Sequence, residues 1–78
     1  MILNDENVFN ELIVPCKKGE FIFVICKNKK SIKELKLIMK GYKLPYKRGV
    51  FTWKGIIVIG LESMSEWKQY FDKIIEVE

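Results

Sequence analysis

The sequence predicts an α+β domain, and three observations carry that prediction. Phe21-Ile22-Phe23-Val24-Ile25-Cys26 is β-branched or aromatic along its length and apolar at every position, which is how a strand covered on both faces reads. Residues 32 to 43 then repeat apolar side chains at helical spacing. Gly49 to Trp53 and Ile56 to Leu61 are two further strand-like runs around Lys54-Gly55, a spacing that suits a tight hairpin. With the flanking segments, the expected order is α-β-α-β-β-α: a small three-stranded sheet, four-stranded if residues 11 to 15 join it, packed with two or three helices.

At the N-terminal end, Val8, Phe9, Leu12 and Ile13 share one side of a helical period. Asn4 stands ahead of them as a candidate cap, with Asp5 and Glu6 where a helix dipole favours anions. Leu12-Ile13-Val14 is equally compatible with a strand pairing onto Phe21 to Cys26, and Pro15 is expected to end either element. For the central helix, Ser31-Ile32-Lys33-Glu34 fits a capping box, followed by Leu35, Ile38, Met39 and Tyr42 on one face. Ser63-Met64-Ser65-Glu66 fits a second box, leading into a last helix whose stripe is Met64, Trp67, Tyr70, Phe71, Ile74 and Ile75. Both faces of the first strand are apolar, so something must cover the second one. The N-terminal helix or another copy of the chain would do so, which makes a homodimer one expectation.

The chain has 78 residues, of which 49% are hydrophobic. That is near the lower limit for a single core, so residues 1 to 78 are read as one domain. The longest apolar runs are too short to span a bilayer, no membrane association is expected, and the start carries no basic stretch ahead of an apolar one. The expected location is the cytoplasm. Cys16 and Cys26 lack CxxC spacing and are read as reduced thiols, with Cys26 buried in its strand.

Catalytic signatures are missing. The chain has no histidine, which removes the commonest general base and metal ligand. The cysteines and carboxylates have no familiar zinc spacing, and neither a P-loop nor GxGxxG occurs. Ser31, Ser63, Glu34 and Glu66 are better used as caps than as acids or bases. The order strand, helix, hairpin, helix is similar in outline to the glutaredoxin core. The CxxC and the proline ahead of the hairpin are absent, however, so redox function does not carry over. A winged-helix reading needs two helices between Cys26 and Gly49, where only one fits. The expectation is a protein that is not an enzyme and uses no cofactor or metal.

Charge is the more informative signal. Residues 17 to 54 hold twelve Lys or Arg against Glu20 and Glu34, while both ends of the chain are acidic. Lys33, Lys36, Lys40 and Lys43 recur at one helical face, where like charges repel unless an anion lies along them. Lys29 and Lys30 before the helix, and Lys47, Arg48 and Lys54 after it, extend the basic stretch. Tyr46, beside Pro45, is the aromatic expected to stay exposed and stack a base, whereas Phe51 and Trp53 suit a core. The partner is expected to be nucleic acid, bound with weak sequence preference through Lys29, Lys30, Lys33, Lys36, Lys40, Lys43, Tyr46, Lys47, Arg48 and Lys54. The alternative is a protein-interaction module, such as a phage or mobile-element inhibitor that docks on an acidic host protein.

Overall fold

A computed structural model describes the backbone of residues 1 to 78 and every side chain except that of Ser65. The α+β class holds, but the sheet has five strands. They are β1 (Phe21–Cys26), β2 (Tyr46–Lys47), β3 (Val50–Thr52), β4 (Ile56–Leu61) and β5 (Lys73–Glu76), in spatial order β2-β3-β4-β1-β5. The apolar run Phe21 to Cys26 lies between β4 and β5, parallel to both. That position explains its composition, since a central strand flanked by parallel partners is covered on both faces.

Residues 5 to 17 form one helical segment, settling the helix-or-strand ambiguity in favour of helix. Asn4 caps it as expected, its side chain accepting from the Asn7 N–H at 2.7 Å. Asp5–Val8 is α, Phe9–Ile13 widens into a π-helix, and Val14–Lys17 returns to α. Pro15 does not end the helix. It sits in the first turn of the Val14–Lys17 piece, where its missing N–H costs little, directly after the π widening has shifted the bonding register. Val8, Leu12, Ile13 and Cys16 are buried by this segment, while Phe9 stays 42% exposed and stacks on Tyr42 at 5.8 Å.

The central helix runs Lys29–Lys40, three residues earlier at both ends than the expected 32 to 43. Its cap is Asn28, whose side chain accepts from the Ser31 N–H at 2.9 Å; Ser31 is thus an interior residue and not the cap. Leu35 and Met39 are buried, with Ile32, Ile38 and Tyr42 packed at the margin. The Tyr42 hydroxyl donates to the Asp5 carboxylate at 2.8 Å, tying this helix to the N-terminal one. Both therefore lie on the Ile22, Val24 and Cys26 side of the sheet.

The expected hairpin of residues 49 to 53 with 56 to 61 is present as antiparallel β3 and β4, but its turn is longer than expected and a second hairpin precedes it. Arg48 and Gly49 have φ of 52° and 84°, a two-residue turn with both centres left-handed, and they join β2 to β3. Lys54-Gly55 instead belongs to a three-residue connection, 53 to 55, between Thr52 and Ile56 of the antiparallel pair β3 and β4. The expected closing helix is replaced by a 3-10 segment, Glu62–Tyr70, and then β5. Met64, Trp67 and Tyr70 recur every three residues, which suits 3-10 periodicity, and no side-chain bond caps the segment. Ile74 and Ile75 leave the expected helix because the open edge of β1 offers a full ladder to a β-branched strand. The Phe21 N–H donates to the Asp72 carboxylate at 2.9 Å and the Asp72 N–H donates to the Phe21 carbonyl at 2.8 Å, which clamps the start of that ladder.

Candidate functional site

Helical geometry brings Lys29, Lys33, Lys36 and Lys40 together. At 3.6 residues per turn they fall within an arc of roughly 60°, whose centre is about a quarter-turn from buried Met39 and farther from buried Leu35. Glu34, the helix's one acid, points well outside that arc. Lys29 and Lys30 occupy the first turn, which contains no acid, so two cations oppose the positive end of the helix dipole. The arrangement is electrostatically costly in the free protein, and an anion laid along the stripe relieves it.

Lys36, within the stripe, reaches the β2 edge of the sheet. The Lys36 ammonium lies 5.7 Å from the centre of the Tyr46 ring, over its face. Tyr46 is 49% exposed, as expected, but Phe51 packs against it at 4.5 Å. Phe51 and Lys36 both lie against the Tyr46 ring, so Tyr46 is a platform for the lysine. Leu37, 62% exposed, flanks the stripe on the side of Lys30.

The remaining basic residues are dispersed. Lys43 lies beyond the helix end with φ of 55°, so it does not continue the stripe. Lys47 pairs with Val50 and Tyr46 with Phe51, so alternation sends the Lys47 side chain to the opposite face of the sheet. Arg48 is on the β2–β3 turn and lines a groove on that opposite face. Lys54 sits in the β3–β4 connection beside Trp53. That tryptophan is 55% exposed rather than core, because β3 stops at Thr52, and the Lys17 ammonium lies 5.3 Å from its ring centre. Lys17 was missed as a member of any site; only the fold brings the end of the N-terminal helix beside the β3–β4 connection.

No family model, curated protein or solved structure matches the chain.

Of the two covers expected for the second face of the sheet, the N-terminal helix lies on the other side, with Ile22, Val24 and Cys26. Neither long helix covers the second face; the 3-10 segment does so in part, with Phe71 against Phe23 at 5.1 Å. What is left is an open groove of about 1000 Å³ with Phe21, Val50, Ile56 and Val58 on its floor and Trp67 and Tyr70 on its wall. Both cysteines are buried, and burial raises both thiol pKa values; at Cys16, bonds from the Gly55 and Trp53 backbone partly offset the rise. Such thiols are poor nucleophiles. Among the described residues no cluster of His, Cys, Asp and Glu has the makings of a metal site, and no helix is long and apolar enough to cross a membrane.

Proposed function

We propose that this chain is a non-catalytic binding protein that holds nucleic acid along the central helix, with Lys29, Lys33, Lys36 and Lys40 on successive phosphates. The observation that carries the reading is the alignment of these four lysines in one arc, with Lys36 steadied by Tyr46. Lysines are point charges, and the one arginine, Arg48, is on the other side of the sheet, so the stripe neutralises a backbone without reading bases. Either strand form of DNA, or RNA, satisfies that chemistry, with weak sequence preference.

The test is a titration of labelled single- and double-stranded oligonucleotides at increasing salt. Four phosphate contacts give a logarithmic salt slope of about −3 to −4. Substituting Lys33, Lys36 and Lys40 with Glu abolishes binding while the circular dichroism spectrum is retained. No complex at about 50 mM salt with the unaltered protein overturns the reading.

A second reading is favoured by the same isolation of Arg48 from the stripe: an acidic protein surface, which needs point charges and no bidentate forks, occupies the lysines. A defined protein partner that survives nuclease treatment, binds with the same salt dependence and is lost with the same Glu substitutions replaces the first reading.

A further inference from the structure

The groove face of the sheet has properties that the lysine helix does not explain. Its floor is the outward side of β1, β3 and β4, and its wall is the 3-10 segment, which crosses from the end of β4 to the start of β5. On that wall Trp67 is 50% and Tyr70 66% exposed, edge to face at 6.2 Å, and Phe21 at the floor is 41% exposed. Two large aromatics therefore project beside an apolar trough of about 1000 Å³. The rims carry opposite charges: Arg48 on the β2–β3 turn at one side and Glu66 on the 3-10 wall at the other.

We propose that a second copy of this chain occupies the groove, in a two-fold symmetric pair. The argument is self-complementarity. A two-fold interface places the same patch on both copies, so every projection must find a recess and every charge its opposite within that one patch. This patch supplies both. Trp67 and Tyr70 of each copy insert over Val50, Ile56 and Val58 of the other, and Arg48 of each meets Glu66 of the other twice by symmetry. A floor of valine and isoleucine beside protruding tryptophan and tyrosine is the composition of an interface core, with the charged pair at its rim. The sheet edges are not the route to pairing. β2 is two residues long and ends in a tight turn. Beside β5, the Met1 ammonium donates to the Glu76 carbonyl and the Glu78 N–H donates to the Met1 carbonyl at 2.9 Å. The proposal is independent of the nucleic-acid reading, because the lysine helix lies on the other side of the sheet and stays open in the pair.

Sedimentation equilibrium of the full chain, from about 1 µM to about 1 mM, tests this, and a monomer-to-dimer transition is expected in that range. Tyr70→Glu is expected to weaken association at least ~100-fold. That side chain is mostly exposed, so the far-ultraviolet spectrum is unchanged. Arg48→Glu and Glu66→Arg singly weaken it by about tenfold each, and the double reversal restores it to within about threefold of the original. A protein that is monomeric at 1 mM overturns the proposal. So does a dimer insensitive to Tyr70→Glu, or one in which the double reversal is no better than the single ones. Saturable binding of a proline-rich peptide by a strictly monomeric chain would assign the groove to a different protein.

Discussion

A β-carbon placed on Gly55 would lie 2.0 Å from the carbonyl oxygen of Glu20. The connection into β4 and the residue ahead of β1 thus touch backbone to backbone. The contact is bonded as well as close: the Gly55 N–H donates to the Cys16 carbonyl at 2.8 Å, and the Ile56 N–H donates to the Glu20 carbonyl at 3.2 Å. It sets the register in which β1 and β4 begin, Phe21 opposite Ile56. Gly55→Ala is expected to cost about 2–4 kcal/mol in urea unfolding, since backbone must move on one side or the other. Gly41→Ala is the control. Gly41 has a right-handed helical backbone, its added carbon meets the nearest atom at 3.4 Å, and the change is neutral or stabilising by up to about 1 kcal/mol.

The cap of the central helix separates two residues that look equally suited to it. Asn28→Ala removes the acceptor for the Ser31 N–H and is expected to cost about 1 kcal/mol. Ser31→Ala is expected to change stability by less than about 0.5 kcal/mol, because an alanine at an interior helix position is favourable. Equilibrium unfolding of the two variants side by side decides which residue caps.

The N-terminal helix belongs to the core and is not an accessory. Leu12 has no exposed surface, so Leu12→Ala is expected to cost about 2–5 kcal/mol. Ile2→Ala, at a residue 62% exposed, is expected to stay within about 0.5 kcal/mol.

Burial of the two thiols makes stability depend on alkaline pH. Both pKa values are raised from 9.0 in the folded protein by desolvation, so folding favours the protonated thiol. The unfolded chain loses these protons first. The contribution is therefore fully present below the unfolded-state pKa and is lost as pH rises through the folded-state values. Unfolding free energy is expected to be flat from pH 7 to about 8.5 and to fall above it, and Cys26→Ala makes the fall shallower. A thiol reagent at neutral pH should label neither cysteine until denaturant is added.

Lys54 distinguishes the helix stripe from net charge in general. Lys36→Ala is expected to lower the salt slope of oligonucleotide binding by about one contact. Lys54→Ala removes an equal charge beside Trp53, away from the stripe, and is expected to leave that slope unchanged.

Local patterns in the sequence were legible where local physics decides them. The apolar run of β1, the cap at Asn4 and the buried faces of Leu35 and Met39 follow from period and residue type. What was not legible depends on partners far along the chain. Ile74 and Ile75 continue a helical stripe with Tyr70 and Phe71, yet they pair with β1 because an open ladder outweighs propensity. Pro15 reads as a terminator, and only a π widening immediately before it lets the helix run on. Serine boxes at 31 and 63 match the capping pattern, but an asparagine three residues ahead of Ser31 captures the first cap and no side chain caps the second segment. Of the basic candidates, the stripe was visible in the spacing of Lys33, Lys36 and Lys40. The diversion of Lys47 and Arg48 to the other face rests on the β2–β3 register, a second hairpin ahead of the expected one between β3 and β4.

The placing of β1 between two parallel neighbours sets a schedule for the chain as it is made. Phe21 meets Ile56, and Ile22 meets Lys73, so the most apolar stretch of the protein has no sheet partner until much of the later sequence has emerged. At ordinary rates of synthesis the wait lasts on the order of seconds. Only the two helices that flank β1 in sequence can shelter it during that time, and they cover one side. Phe21, Phe23 and Ile25 lie on the side those helices leave bare, so they stay apolar surface until β4, the 3-10 segment and β5 have been added.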